Sequence, residues 1–132
     1  MRSELSEHKR QWRDYHTESG ARPIKDFLLA LPDEDRAAVR EEMEYVREHG
    51  TSVARHLRHG IYEVRAIYNT KAYRILFACE GRFHHILLAL DGFQKKTQQT
   101  PQAHLKLAEQ RLADWRRRGK AKRVDRESER RG

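Results

Sequence analysis

Ile86-Leu87-Leu88-Ala89-Leu90-Asp91-Gly92-Phe93-Gln94-Lys95-Lys96-Thr97-Gln98-Gln99-Thr100-Pro101 decides how this chain is read. Its opening five apolar residues predict a buried strand. That strand is expected to end at Leu90, so the residues from Asp91 form the loop at its exit. Thr100-Pro101 then opens a helix, with Thr100 as N-cap and Pro101 at the first position. Lys95 and Lys96 follow a glycine–aromatic pair in that loop. Lysines are rarely buried without a partner, so they point to solvent or to an anionic ligand.

Upstream, Gly60 to Ile67, Ala72 to Cys79 and Phe83 to Leu90 are β-rich runs. They are separated by the turn-like Tyr68-Asn69-Thr70-Lys71 and Glu80-Gly81-Arg82. Such runs in succession predict an antiparallel meander. Tyr62, Val64 and Ala66 alternate with Glu63, Arg65 and Ile67, and Tyr73, Ile75 and Phe77 alternate with Arg74 and Leu76. One face therefore packs on helices and the other displays Arg65 and Arg74 on adjacent strands. Trp12 to Thr17 is a candidate short first strand.

Pro23 suits a first helical position, and Ile24, Phe27, Leu28 and Leu31 share one stripe at helical spacing. Pro32 ends that helix. Asp33 is the expected N-cap of the next, with Glu34 and Asp35 in its first turn, Val39, Met43 and Val46 on its apolar face, and Gly50 as its stop. The two form an αα-hairpin whose stripes need a sheet to cover. Leu105, Ala108, Leu112 and Trp115 mark a C-terminal helix. The fold class is thus α+β. Residues 1–11 are expected to be a flexible N-terminus, 12–115 one domain, and 116–132 a basic disordered tail.

A chain of 132 residues supports one domain, and 37% hydrophobic against 36% charged residues gives a modest core and a polar surface. No apolar stretch approaches membrane-spanning length, so no membrane partner is expected. Met1-Arg2-Ser3-Glu4-Leu5 lacks the apolar core of a signal peptide. The lone Cys79 has no partner for an internal disulfide and reads as a core residue in a reducing compartment, which makes a cytoplasmic protein the expectation. The net charge of +8 is unevenly placed: −3 over residues 1–50, +5 over 51–115 and +6 over 116–132. A positive second half suits polyanions, nucleic acid above all. The acidic first half offers a surface to a basic partner.

Pairing the strands in order brings Arg65, Arg74, Lys95 and Lys96 to one end of the exposed face. A phosphodiester is the natural counter-charge: arginine offers a planar fork to phosphate oxygens and lysine a mobile point charge. Such a cluster stabilises the phosphorane formed in RNA strand cleavage, and a lysine crowded by cations is able to move a proton. Phe93 is placed to stack on a splayed base, with Gln94 beside it as a second substrate contact. His84 and His85 alternate across the last run, so at most one approaches the cations; most of the eight histidines are expected to decorate the surface. His56-Leu57-Arg58-His59 is weak metal spacing and no cysteine pair supports it, so neither metal nor cofactor is expected.

Taken in order, Gly20-Ala21-Arg22-Pro23-Ile24-Lys25-Asp26-Phe27-Leu28, Gly60-Ile61-Tyr62-Glu63-Val64-Arg65, Tyr73-Arg74-Ile75-Leu76-Phe77 and Gly92 to Pro101 resemble the HigB-type, phage-derived branch of the RelE/ParE toxin superfamily, toxins of type II toxin–antitoxin systems. The resemblance covers residues 12–115. It implies a RelE-like compact fold, an antiparallel β-sheet with an N-terminal αα-hairpin and a C-terminal helix. It also implies a ribosome-dependent, metal-independent mRNA endoribonuclease that uses the RNA 2′-hydroxyl in the ribosomal A site, and a helix-turn-helix antitoxin as partner. Carried over by position, Arg65 positions phosphate, Arg74 stabilises the transition state, and Lys95 or Lys96 stabilises charge or moves a proton. Two positions depart from the pattern. Asp91 stands where many relatives have histidine, and Glu63 where the RelE branch has lysine; both subtract positive charge. A gyrase-inhibiting toxin of the same fold, which should not need the lysine pair, and a non-enzymatic antitoxin- or nucleic-acid-binding module are the competing readings.

Overall fold

The structure is a computed structural model that describes the backbone of residues 9–131 and the side chains of residues 9–120. Its elements are β1 (Gln11–Asp14), α1 (Pro23–Ala30), α2 (Asp33–His49), β2 (Arg55–Arg58), β3 (Ile61–Tyr68), β4 (Lys71–Glu80), β5 (Ile86–Lys95) and α3 (Gln102–Arg131). The strands form one sheet in the order β1-β5-β4-β3-β2. The α+β class and the β3-β4-β5 meander agree with the sequence reading, but the sheet is mixed. β1 pairs in parallel with β5, from Gln11 opposite Ile86 to Asp14 opposite Ala89. β2 is a strand the sequence did not announce, because Arg55-His56-Leu57-Arg58 has no β-branched residue.

The helical hairpin covers one face. Pro23 begins α1, and Gly50 closes α2 at φ 80°, a left-handed value glycine adopts freely. Pro32, not Asp33, occupies the cap position of α2; the Asp33 carboxylate instead takes the Arg36 guanidinium at 3.0 Å. Arg36 also donates to the carbonyls of Leu28, which takes the Leu31 N–H as well, and of Leu31, both at 3.0 Å, so one side chain ties down the end of α1 and fixes the corner. Ile24, Val39, Met43 and Val46 are buried in one core with Tyr73, Ile75 and Phe77 of β4. Each contributes about 1.5–3 kcal/mol of burial.

Glycine at position 92 is what lets α1 sit this close. A Cβ there would stand 2.5 Å from Cδ2 of Phe27. Gly92→Ala is therefore expected to destabilise the fold by about 1–3 kcal/mol in urea denaturation, with partial recovery when Phe27 is shortened to leucine.

The sheet's other face is not open along its length, as the sequence suggested. α3 crosses it and buries Leu105, Ala108 and Leu112. Nor does the chain become disordered at Arg116. Arg116 forks onto Glu80 with both contacts at 3.0 Å, and Arg118 donates to Asp114 at 3.0 Å and to the His16 carbonyl at 2.5 Å. Arginine, lysine, alanine and glutamate are strong helix formers, and α3 runs on to Arg131. Arg10 and Gln11, expected in a flexible segment, are anchored: Arg10 donates to the carbonyls of Arg47 and Glu48, and Gln11 lies in β1. The rest of that expectation, residues 1–8, lies outside the described residues.

Asp114 gathers the Tyr15 hydroxyl at 2.6 Å together with Arg117 and Arg118. These partners, the tyrosine hydrogen bond first, hold its carboxyl down at about 2 against an ordinary 3.8. A carboxyl depressed on folding stabilises above its unfolded pKa and loses that contribution as pH falls through its folded one. Stability is expected to drop between about pH 4 and about pH 2, and Asp114→Asn to flatten that limb in acid titrations followed by circular dichroism. Among the described residues no helix is long and apolar enough to cross a membrane.

A candidate phosphate-binding cleft

β5 does not end at Leu90. It continues to Lys95, so Asp91 to Lys95 are sheet residues rather than loop. A β-bulge makes this possible: Leu76 faces Asp91 while its neighbour Phe77 faces Ala89, leaving Leu90 as the extra residue. The bulge flips the alternation of β5. Ala89 lies on the α1–α2 side, whereas Asp91, Phe93 and Lys95 lie on the α3 side.

The flip assembles the cations. Arg65 stands directly opposite Arg74, Arg74 opposite Phe93, and Ala72 opposite Lys95. All share the α3 face, at the end of the sheet that α3 leaves uncovered. Arg65, Arg74, Lys95 and Lys96 line an open cleft of about 380 Å³ together with Ala72, Thr97 and Gln98. Ala72 contributes only a methyl group between the cations, which leaves room for a ligand. The four cations predicted from sequence do converge.

Their burial differs. Arg65 is 54% exposed in its side chain and Arg74 only 5%. Burial pulls the Arg74 pKa down, Glu63 opposes that, and Arg65 and Arg55 add to it. Lys95 is held below the ordinary lysine range by desolvation first, then by Arg74, with Arg65 and Arg55 acting the same way and Glu63 opposing. A cation crowded among cations sheds its proton more readily. Arg55, which stands opposite Glu63 from β2, is a further member of this electrostatic cluster. It was hidden from sequence because its strand was.

Two predicted substrate contacts sit elsewhere. Phe93 is 7% exposed, and the His104 ring of α3 covers it in a parallel stack with centroids 3.8 Å apart. Its ring is packing, not a free platform for a base. Gln94 is exposed opposite Tyr73, on the α1–α2 side of the sheet, away from the cations. The exposed apolar side chain on the cationic face is Ile67, opposite Ala72 and 70% exposed.

Among the described residues no histidine lines the cleft. His84 and His85 are not in a strand: Phe83 and His84 take positive φ in a tight 3-10 turn at the opposite end of β5. His59 pairs with Glu109, and His56 packs edge-on against Tyr62. Among the described residues no three side chains of metal-binding type converge.

Both departures from the expected pattern have structural partners. Asp91 accepts from His104 Nδ1 at 2.5 Å and from Gly92 N at 3.0 Å, with Arg111 at 3.5 Å, and so ties α3 to the bulge. Glu63 is fully buried. Its Oε2 accepts the Thr100 hydroxyl at 2.6 Å, and its Oε1 lies 3.5 Å from Arg74 Nε and 3.8 Å from Arg65 Nε. Thr100 thus spends its hydroxyl on Glu63; Pro101 precedes the first residue of α3, and its carbonyl accepts the first helical bonds, from His104 and Leu105.

The architecture is consistent with a RelE-like toxin fold. The chain belongs to the Gp49-like family of phage-derived proteins (DUF891), whose family model matches residues 26–113 and so two thirds of the chain. That family is related to toxin–antitoxin systems, which makes this a toxin-like protein and suggests an antitoxin partner. No curated protein matches the chain.

Proposed function

We propose that this protein is a HigB-type toxin, a ribosome-dependent, metal-independent mRNA endoribonuclease that blocks translation and is neutralised by a helix-turn-helix antitoxin. The observation that carries the reading is the convergence of Arg65, Arg74, Lys95 and Lys96 on one open cleft. The family's relation to toxin–antitoxin systems supports it.

In this reading the scissile phosphate lies over Ala72. Arg65, half exposed at the rim, captures and positions it. The RNA 2′-oxygen attacks phosphorus, the bond to the 5′-oxygen breaks, and a 2′,3′-cyclic phosphate and a 5′-hydroxyl result. Negative charge grows on the phosphorane oxygens, and the nearly buried Arg74 opposes it where water screens least. Lys95, with its lowered pKa, takes the 2′-hydroxyl proton in its neutral form. Lys96 adds charge at the exposed rim and protonates the leaving oxygen.

The test is induced expression in a bacterial host with primer-extension mapping of mRNA ends. New cuts on translated messages, lost in Lys95→Ala/Lys96→Ala with the protein still folded, are the expected result. Growth arrest that survives loss of both lysines, without cuts, would replace this reading with a gyrase-type target; no arrest would leave a binding module. Single-turnover cleavage should rise with pH and level off below the ordinary lysine range, and Lys95→Arg should remove that rise.

A further inference from the structure

Glu63 is the unexplained group in the cleft. It is 0% exposed, in the middle of a cationic cluster, and its Oε1 has no hydrogen-bond partner. Facing it, Arg74 Nε is also buried and unpartnered, 3.5 Å away. Buried charged atoms left unpaired cost several kcal/mol, so such a pair needs an account. The two groups make an ion pair at 3.5 Å that lacks hydrogen-bond geometry, while the other carboxylate oxygen is engaged by the Thr100 hydroxyl at 2.6 Å.

The remaining nitrogens of Arg74 complete the picture. Nη1 donates to the Tyr73 carbonyl at 2.9 Å, while Nη2 makes no hydrogen bond to a described residue. Arg74 is therefore oriented by its inner edge, with Glu63 behind Nε and a backbone carbonyl on Nη1.

We propose that Glu63 is a positioning residue: a built-in anion that holds the Arg65–Arg74–Lys95 cluster together in the absence of RNA and sets the angle of Arg74 toward the incoming phosphate. This rests on the cleft being the site of RNA binding and deepens the reading above. Glu63 trades affinity for alignment. Its charge weakens the attraction of the cleft for polyanions, and its position keeps Arg74 from turning away. The charged groups facing Lys95 are Arg74 on β4, Glu63 and Arg65 on β3, and Arg55 on β2.

Glu63→Gln separates charge from shape, since the glutamine carbonyl still accepts from Thr100. Three quantities would be measured: the Lys95 ammonium titration by NMR, the salt dependence of binding to a short RNA blocked by 2′-O-methyl groups, and ribosome-dependent cleavage. The Lys95 titration should move further down. RNA should bind about tenfold tighter at low salt, with the logarithmic salt slope steeper by about 0.7, as for one more neutralised phosphate of a single strand. Cleavage at saturation should fall about tenfold or more while KM falls or holds. Thr100→Val, which keeps the charge and frees Oε2, should lower cleavage without moving the Lys95 titration.

An unchanged titration and salt slope in Glu63→Gln would overturn the proposal. So would weaker RNA binding in step with a lowered melting temperature, which marks a purely structural carboxylate. Should the wild type cleave no message, the nuclease reading fails by itself; the titration and salt slope still decide the role of Glu63.

Discussion

Arg74→Ala is expected to abolish mRNA cleavage and, on its own, to damage the fold. The two effects have different causes and a second substitution separates them. Arg74 is nearly buried and lies against the fully buried Glu63. Removing one partner of a buried pair leaves an uncompensated charge, at roughly 3–5 kcal/mol. The lower end applies, because Arg65 remains 3.8 Å from the same carboxylate. Against a typical domain stability of about 5–15 kcal/mol, that is enough to lower yield and confuse a toxicity assay. Arg74→Ala/Glu63→Gln removes the orphaned charge and should recover most of the stability in urea denaturation. Cleavage should not recover, since a lost transition-state donor costs about 10²–10³ in rate. A double variant that folds and still cuts would remove Arg74 from the mechanism. A double variant no more stable than the single one would mean that Glu63 is not charged in the folded protein.

The sequence carried much of this site, and the reasons are physical. Strand alternation correctly put Glu63, Arg65 and Arg74 on one face, because β3 and β4 pair without interruption over those residues. Helical spacing found α1, α2 and the start of α3 for the same reason: each apolar stripe has one surface to meet. What stayed hidden were the places where long-range packing overrides local pattern. The bulge at Leu90 inverts the face of every residue after it, and no turn residue marks it. Phe93 was expected in a loop beyond the strand's end and is instead a strand residue sealed under His104. β1 was expected over Trp12 to Thr17 and forms at Gln11–Asp14, in a parallel pairing that local pattern does not show, whereas β2 pairs at the sheet's edge through residues with little strand propensity, so only the partner strand reveals it. Arg55 entered the electrostatics of the cleft by that route. Glu63 looked like a subtraction of charge. Its burial and its Thr100 anchor, neither visible in composition, make it the centre of the cluster.

Helix α3 decides whether any of this survives. Leu105 and Leu112 are 6% and 4% exposed on the sheet's second face, with Ala108 fully covered between them. Leu105→Ala and Leu112→Ala should each cost about 2–5 kcal/mol, and together they should unfold the domain or release the helix. Release is distinguishable from global unfolding. The α1–α2 side has its own buried layer, so near-native β-structure by circular dichroism with new dye binding would report a detached helix. The cleft should fail in either case. Thr100 leads into α3 and holds Glu63, and Asp91 takes its bonds from His104 and Arg111 of the same helix. Loss of α3 would therefore free both carboxylates toward the cations and quench the cleft before RNA arrives. A double leucine variant that kept wild-type RNA affinity would show that the cleft is set by the sheet alone. The same logic bears on shortening the chain. A cut after Trp115 removes Arg116 and Arg118 from Glu80 and Asp114 and should destabilise the helix, whereas a cut after Lys120 leaves those pairs intact. Only the second cut tests whether the basic segment beyond it adds phosphate contacts, read as a shallower salt slope of RNA binding with unchanged stability.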